Sequence, residues 1–536
     1  MQHFRQLLAH RFSQVVWAIL VGLGVFVGLV AWAVASPSGS SLDEDFHLAS
    51  IWCPNPGSEA CPFIEPAANG SKQIMVPADI ADRFCYFTKL DQSAQCVSTD
   101  VGDTVTSTRF NDGVYPGAYY TIMHLFASDD VNSMALAVRL ANAALASILL
   151  TMLLLLLGTT GKAVYVWMIA ATAAPMVAYH AASVAPDSWS FIGVTTTCAA
   201  TMGALLAQRR WRQWSLSTMS VVGVVVAAAA RSDSAAFCVV VALAALIVYW
   251  RRLRSHWPAL AGFCVTTVIG VIGFLSGSQA TALSGGIAGY HGDGSLTGLK
   301  LAFHNILFFP EWISNILSRG LFDMGTYQIV AHTLTICLAV TVWVGVFRGG
   351  MTLAKGAGLV LVGGCLVGAP VMMAQMEQLG LWQDTGIQPR YVMPLLTAFV
   401  AITLAPVRSR PTRYFSLPAT IALAVMALVM QAATLHIWIR RWVTGTDVFD
   451  FNLDVKVEWW RAIPLSPMGT WVVGTLGFAL AACAIITVRY LPEVAAVTHK
   501  PSHSGSPAST ARRSLSVEPE TDATQPSAAL TVATHQ

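Results

Sequence analysis

The sequence is poor in charged residues: Asp, Glu, Lys and Arg make up only 11% of its 536 residues. Soluble domains average about a quarter charged residues, so this scarcity excludes an ordinary soluble protein. The chain contains no glycine-rich phosphate loop, zinc-finger spacing or Gly-x-Ser-x-Gly elbow, so the usual signatures of nucleotide, zinc and serine-hydrolase sites are missing. No internal repeat is evident, which disfavours a transporter built from repeated halves.

Apolar residues dominate instead, at 55% of the chain, and the mean hydropathy is +0.59. A run of about 20 apolar residues can cross the hydrocarbon core of a bilayer. Hydropathy therefore predicts an all-α integral membrane protein with about 12 transmembrane helices. The predicted spans are residues 15–35, 133–158, 162–182, 188–207, 215–230, 235–250, 256–276, 328–347, 356–375, 391–406, 416–438 and 469–489.

Basic residues are concentrated in alternate loops of this arrangement. One set of loop and terminal segments contains Arg5, Arg11, Lys162, Arg209, Arg210, Arg212, Arg251, Arg252, Arg254, Arg348, Lys355, Arg408, Arg410, Arg413 and Arg489. The short loops opposite carry almost no basic residues except Arg231 and Arg390. By the positive-inside rule the first set is cytoplasmic, which places both termini inside. The small net charge of +3 gives no support to nucleic-acid binding.

The cysteines agree with this topology. Cys53, Cys61, Cys85 and Cys96 all lie in the predicted first extracytoplasmic loop, residues 36–132, and the other six lie in predicted spans. Four cysteines on the oxidising side of a membrane predict two disulfides, and three pairings are open.

The remaining segments complete the predicted organisation. Residues 1–14 form a cytoplasmic N-terminus, 15–490 a polytopic membrane domain, 277–327 a second large extracytoplasmic loop and 491–536 a disordered cytoplasmic tail. Residues 33–35 resemble a signal-peptide cleavage site, but the long apolar core of the first span favours an uncleaved anchor.

An acidic cluster follows the first span directly, where residues 43–47 read Asp-Glu-Asp-Phe-His. In one interpretation Asp43 and Glu44 are a general base and its partner, and each carboxylate raises the pKa of the other. In the other they begin a helix capped by Ser41 or Asp43 and are stabilised by its dipole. His47 lies on the same helical face as Asp43 and is a candidate hydrogen-bond partner or metal ligand.

Further ionisable residues from separate loops are predicted at the same membrane face. They are Arg139, His180, Asp187, Arg231, Asp233, Asp384 and Arg390. Charges at this depth are costly and usually face a cavity or each other, as one active site would require. Arg390 suits a phosphate because a guanidinium can bind two oxygens, although interfacial snorkelling is the alternative.

Two pairings are expected among these residues. Arg231 and Asp233 share a short turn, where a structural ion pair and a ligand contact are both open. Arg139 lies about two turns inside its span, so we expect it to pair with an acid such as Asp187.

Three short motifs resemble a known family. Residues 43–47 match the pattern Asp-Glu-x-x-His, residues 185–188 read Ala-Pro-Asp-Ser, and residues 388–394 are similar to Gly-Arg-Tyr-Phe-x-Pro, with Pro389 and Val392 departing from it. Over most of residues 15–490 the chain resembles bacterial polytopic membrane proteins of a domain-of-unknown-function family, a branch of the GT-C glycosyltransferase superfamily.

The resemblance implies an inverting, extracytoplasmic glycosyltransferase of the bacterial inner membrane. Its donor would be a polyprenyl-phosphate sugar, and its acceptor an envelope glycan, lipid or protein. Asp43 or Glu44 would deprotonate the acceptor, and Arg390 with Arg231 or His180 would hold the phosphate. The substrate-binding candidates are His47, Arg139, His180, Asp187, Arg231, Asp233, Arg390 and Tyr391.

No cofactor is assigned, and a divalent cation is left open by these residues. Membrane lipids are expected partners and nucleic acids are not. Two other functions are considered: a transporter or flippase of lipid-linked saccharides, and a non-catalytic scaffold for envelope assembly. A transferase depends on the acids at 43 and 44, whereas a transporter depends more on buried residues such as Arg139.

Overall fold

The computed structural model describes residues 2–41, 43–81, 85–86, 89–97, 102–277, 296–321, 324–325, 328–382, 387–407 and 414–498. Asp384 and most of the predicted tail lie outside these residues. The longer helices in the described part are α1 Gln2–Ala35, α2 Glu44–Trp52, α3 Ala78–Ala81, α4 Gly117–Met123, α5 Val131–Leu156, α6 Thr159–Thr172, α7 Pro175–Ala181, α8 Asp187–Leu206, α9 Arg210–Ala230, α10 Ser232–Val248, α11 Trp257–Leu275, α12 Gly298–Ser318, α13 Gln328–Gly349, α14 Leu353–Met376, α15 Met393–Leu404, α16 Leu417–Val443 and α17 Pro467–Thr498.

A multi-pass helical membrane architecture is confirmed. Within the described residues, 8 helices are long and apolar enough to cross a membrane, or up to 9 if the bent pair α6–α7 is one span. Three shorter apolar helices cover Ser232–Val248, Thr335–Gly349 and Pro389–Leu404. Every predicted span overlaps a helix, but the total of about 12 crossings stays a prediction.

The segment between α1 and α5 is folded and cross-linked. Strands β1 Ile74–Pro77 and β2 Thr104–Ser107 form a small antiparallel sheet in which Val76 lies opposite Val105. The disulfides join Cys53 to Cys61 and Cys85 to Cys96, which selects one of the three pairings that the sequence left open.

Arginines near the end of α16 hold two loops. The predicted span 416–438 is too short at its end: α16 continues to Val443, so Arg440 and Arg441 belong to the helix, and both side chains are largely buried. Arg441 donates to the carbonyl oxygens of Tyr86, Lys89 and Gln92, within the loop closed by Cys85–Cys96. Arg440 donates to carbonyl oxygens of residues 450, 452 and 455. These carbonyls compensate the buried charges, which is why the helix can include them.

Helices α8 and α9 pack closely along their length because two glycines meet between them. A Cβ on Gly193 would lie 2.6 Å from the Gly223 carbonyl oxygen, and a Cβ on Gly223 would lie 2.7 Å from that of Gly193. This antiparallel contact brings the start of α8, at Asp187, beside the end of α9, at Arg231. Helix α15 packs against α8 and α10 and follows a short 3₁₀ helix, Pro389–Val392, which contains Arg390. These elements place the charged residues at one end of the bundle.

Candidate functional site

The charged cluster at this end of the bundle contains Asp43, Arg390, Asp187, Arg231 and Asp233. Asp43 is its most exposed member. It precedes α2 with a left-handed φ of 55°, and its side chain is 47% exposed. Its Oδ2 accepts a hydrogen bond from Arg390 Nη2 at 3.1 Å, and its Oδ1 accepts one from Arg109 Nη2 at 3.0 Å. Burial raises the pKa of Asp43, but Arg390, His47 and Arg109 together lower it below the usual aspartate value. Asp43 is therefore ionised at neutral pH and can accept a proton.

A row of alternating charges continues inward from Asp43. Arg390 Nε lies 3.3 Å from Asp187 Oδ2, and Asp187 Oδ1 accepts a hydrogen bond from Arg231 Nη1 at 2.7 Å. Arg231 also donates to both carboxylate oxygens of Asp233, at 3.0 and 2.8 Å. The guanidinium of Arg231 stands 4.6 Å from the ring centroid of Tyr391. The ion pair, one of the two interpretations left open for Arg231 and Asp233, is present, and Asp187 links it to Arg390.

Unpaired polar atoms line the same region. Arg390 Nη1 is buried and has no hydrogen-bond partner among the described residues. Both ring nitrogens of His180, which is 2% exposed, are also without a partner in the described part of the chain. His180 interacts electrostatically with Arg390 and Asp187, so it lies within reach of the ion-pair row. A buried donor without a partner is costly, and a ligand oxygen at this place would satisfy it.

Glu44 has different surroundings from Asp43. It is fully buried, and its Oε2 accepts hydrogen bonds from the Ser41 amide at 2.8 Å and the Ser41 hydroxyl at 2.9 Å. Its Oε1 accepts one from Arg139 Nη2 at 2.5 Å. Both of the Ser41 bonds are donated to Glu44, which is the carboxylate half of a capping box, whereas Asp43 at the N-cap makes no side-chain capping bond. The helix-terminus interpretation therefore fits Glu44 and not Asp43.

Arg139 is not part of the ion-pair row. The expected Arg139–Asp187 pair is not formed, because the guanidinium is taken up by Glu44 and by the carbonyl oxygens of Ser36 and Pro37. Arg139 is 1% exposed. The structure places it behind Glu44, where it stabilises the segment between α1 and α2.

His47 faces the cluster as a neutral side chain. Its Nδ1 lies 3.0 Å from the Tyr120 hydroxyl, and its ring stacks on that of Tyr120. Burial, the largest cause, lowers the pKa of His47 to about 4, although Asp43 and Asp187 raise it. His47 is thus an uncharged hydrogen-bonding neighbour of Asp43 at neutral pH.

Sequence reasoning missed Arg109. This residue follows β2 and bonds to Asp45 through Nε, and its Nη2 reaches both Asp45 and Asp43. No motif surrounds it, and its position within the cysteine-containing loop gives no signal that it returns to residues 43 and 45. The one signal in the sequence was Asp45, a third acid in the cluster at residues 43–45, because a carboxylate needs a cation when it is buried.

An apolar cavity of about 270 Å³ lies among the long apolar helices. Its walls come from α1, α5, α6, α7, α8, α13, α16 and α17. Val177, Ala178 and Ala181 line it from α7, the helix that also carries His180. Helix α7 is bent by 101° from α6 and therefore lies between the apolar cavity and the charged cluster near His180.

The arrangement of the described side chains gives little support to a metal site. Among the described residues, no group of three or more His, Cys, Asp or Glu side chains is arranged to hold a metal ion. The contact that the structure shows for His47 is its hydrogen bond with Tyr120.

Comparison with known proteins gives one match. A family model described as a predicted membrane protein (DUF2142) matches residues 26–400, a range that contains every candidate catalytic and substrate-binding residue named above. No curated protein and no solved structure matches the chain.

Proposed function

Because the chain belongs to the DUF2142 family of predicted membrane proteins and joins a half-exposed carboxylate to a buried arginine with an unpaired nitrogen, we propose that it is a membrane glycosyltransferase. It transfers a sugar from a polyprenyl-phosphate donor to a cell-envelope glycan, lipid or protein. The observation that carries this proposal is the contact of Arg390 with Asp43 at 3.1 Å. A candidate phosphate ligand and a candidate base are thereby adjacent.

The two ends of such a donor suit the two parts of the site. Arg390 and His180 offer buried, unpaired nitrogens to a phosphodiester. The apolar cavity beside α7 suits a hydrocarbon chain. A donor that is itself a lipid needs no nucleotide-binding domain, which agrees with the missing phosphate-loop motif.

The proposed step is a single inverting displacement. The acceptor hydroxyl gives its proton to the Asp43 carboxylate while its oxygen forms a bond to the anomeric carbon. The bond from that carbon to the phosphate oxygen breaks, and the polyprenyl phosphate leaves with the electron pair. Arg390 then faces a phosphate with one more negative charge, so its interaction is stronger in the transition state than in the ground state.

Donor binding also changes the surroundings of Asp43. In the unliganded protein Arg390 and Arg109 share the two oxygens of this carboxylate. A phosphate that pairs with Arg390 removes one of these bonds and raises the pKa of Asp43, which makes it a stronger base. Arg109 keeps the carboxylate in place during this exchange.

The test is envelope-glycan linkage analysis in a deletion strain complemented with wild type, Asp43→Asn or Asp112→Asn. Asp112 is a matched control because its side chain is also 47% exposed and also forms an ion pair, with Lys72. We expect wild type and Asp112→Asn to restore one glycosidic linkage and Asp43→Asn to leave it missing. Full restoration by Asp43→Asn would exclude Asp43 as the catalytic base and favour the transporter or scaffold.

A further inference from the structure

Two arginine-rich turns lie at the end of the bundle opposite Asp187 and Arg231. One joins α8 to α9, and the other, the 3₁₀ helix Trp250–Ser255, joins α10 to α11. The two turns and the first residues of α9 contain Arg209, Arg210, Arg212, Arg251, Arg252 and Arg254. The sequence has no acidic residue from 188 to 232 or from 234 to 277, so the turns and the helix ends next to them supply no counter-charge. The acids of the flanking helices, Asp187 and Asp233, lie at the other end of the bundle, in the ion-pair row.

Side-chain contacts join the two turns into one surface. Arg210 Nη1 donates to the Ser255 carbonyl oxygen at 3.4 Å, and its guanidinium stands 5.6 Å from the ring centroid of Trp257. Trp257 packs edge-on against Trp214, with ring centroids 4.8 Å apart. Arg252 Nη1 donates to the Leu205 carbonyl oxygen at 3.3 Å, which links the second turn to the end of α8. These contacts bring the start of α9 and the turn Trp250–Ser255 together.

The same surface exposes tryptophans at the level of the arginines. Trp211, Trp214, Trp250 and Trp257 are each between 43% and 56% exposed. The indole ring prefers the boundary between hydrocarbon and headgroups, so these four side chains mark the depth of the phosphate layer. Arg209, Arg251 and Arg254 are exposed beside them.

We propose that this arginine–tryptophan surface is a binding site for an anionic phospholipid. Guanidinium groups pair with phosphate oxygens through two parallel hydrogen bonds, and the tryptophans pack against the glycerol and upper acyl region. The positive-inside rule explains cationic loops, but it does not require that arginines from two separate turns be held together with four exposed indoles. This site is independent of the proposed transferase activity.

The test is native mass spectrometry of the purified full-length protein titrated with phosphatidylglycerol or phosphatidylcholine. The test variant combines Arg209→Gln, Arg251→Gln and Arg254→Gln. The control variant combines Lys72→Gln, Lys300→Gln and Lys456→Gln, which removes the same charge from exposed positions elsewhere. We expect the arginine variant to bind phosphatidylglycerol at least about tenfold more weakly and the lysine variant to bind like wild type.

A second variant separates folding from binding. The triple Arg→Lys substitution at the same positions keeps the charge but not the planar guanidinium fork. We therefore expect the thermal midpoint of wild type, with phosphatidylglycerol binding weaker than that of wild type and stronger than that of the Arg→Gln variant. The proposal is overturned if phosphatidylcholine binds as tightly as phosphatidylglycerol. It is also overturned if the triple Arg→Gln variant and the triple Lys→Gln control lose equal affinity for phosphatidylglycerol.

Discussion

Asp43 and Glu44 are neighbours in the chain, but their surroundings assign them separate roles. Asp43 is half-exposed between two arginines, whereas Glu44 is buried against Ser41 and Arg139. An acceptor molecule can approach the first carboxylate and has no access to the second. The sequence left open which of the two acids is the base. In the proposed reaction Asp43 has this role, because a base must reach the proton that it removes.

The first prediction separates the two acids by substitution. We expect Asp43→Asn to lower the transfer rate about 100- to 10,000-fold with little change in thermal midpoint. We expect Glu44→Gln to destabilise the fold by about 3–5 kcal/mol, because it leaves the buried Arg139 charge without its counter-ion. Donor-transfer assays and thermal unfolding in detergent measure the two effects, and a stable, inactive Glu44→Gln protein would contradict this division.

The second prediction concerns acid stability and His47. The unfolded chain binds a proton at His47 near pH 6.5, whereas the folded protein does so only near pH 4. Acidification through this window therefore favours the unfolded state, and the loss of stability approaches about 3 kcal/mol at its lower end.

The His47→Gln variant has no titrating group at this position. We expect its thermal midpoint to fall less than that of wild type between pH 7 and pH 4, after correction for any difference at pH 7. Parallel midpoint curves for the two proteins would show that His47 is not held neutral in the native state.

At the scale of elements, the α8–α9 pair determines where Asp187 and Arg231 meet. No sequence motif predicts that these two helices pack together. The close approach of their backbones is possible because Gly193 and Gly223 have no side chains. Small residues at a helix contact are the usual basis of tight packing in membranes, where lipid removes the hydrophobic drive between helices.

The third prediction tests this packing with two glycines. We expect Gly193→Ala to destabilise the protein by about 1–3 kcal/mol, because its methyl group would lie 2.6 Å from the Gly223 carbonyl oxygen. Gly364 in α14 has open space at the corresponding position, so Gly364→Ala should be neutral or stabilising by up to about 1 kcal/mol. Thermal unfolding compares the pair, and equal midpoints would contradict the close contact.

At the scale of the whole molecule, the disulfides and the charge asymmetry bear on orientation. Cys53–Cys61 and Cys85–Cys96 require an oxidising compartment, and the arginine-rich turns lie at the opposite end of the bundle. Both features agree with a charged cluster that faces outward and a basic surface that faces the cytoplasm.

The fourth prediction tests this orientation in intact cells with a membrane-impermeant maleimide. We expect peptides containing Cys53, Cys61, Cys85 and Cys96 to be labelled only after a membrane-impermeant reductant is added. Cys198 and Cys238 are buried in helices and provide unlabelled controls. Absence of labelling after reduction, or labelling without it, would overturn the proposed topology or the disulfides.

The sequence by itself determined the class of protein and the positions of its helices. Apolar runs long enough to span a bilayer must satisfy their own backbone hydrogen bonds, so hydropathy alone predicts helices in all the predicted spans. Cysteine placement predicted the two disulfides. The short motifs and the predicted topology grouped Asp43, Glu44, Asp187 and Arg390 as candidates for one site, together with Arg139.

Only the tertiary structure decided how the charges pair. Asp43 and Arg390 are 347 residues apart, and Glu44 and Arg139 are 95 residues apart. Hydropathy and charge pattern place such residues at one membrane depth, but they contain no information about position within the membrane plane. That position depends on which helix faces are in contact, as with Gly193 and Gly223. The tertiary contacts alone therefore show that Arg139 pairs with Glu44 and that Arg109 pairs with Asp43.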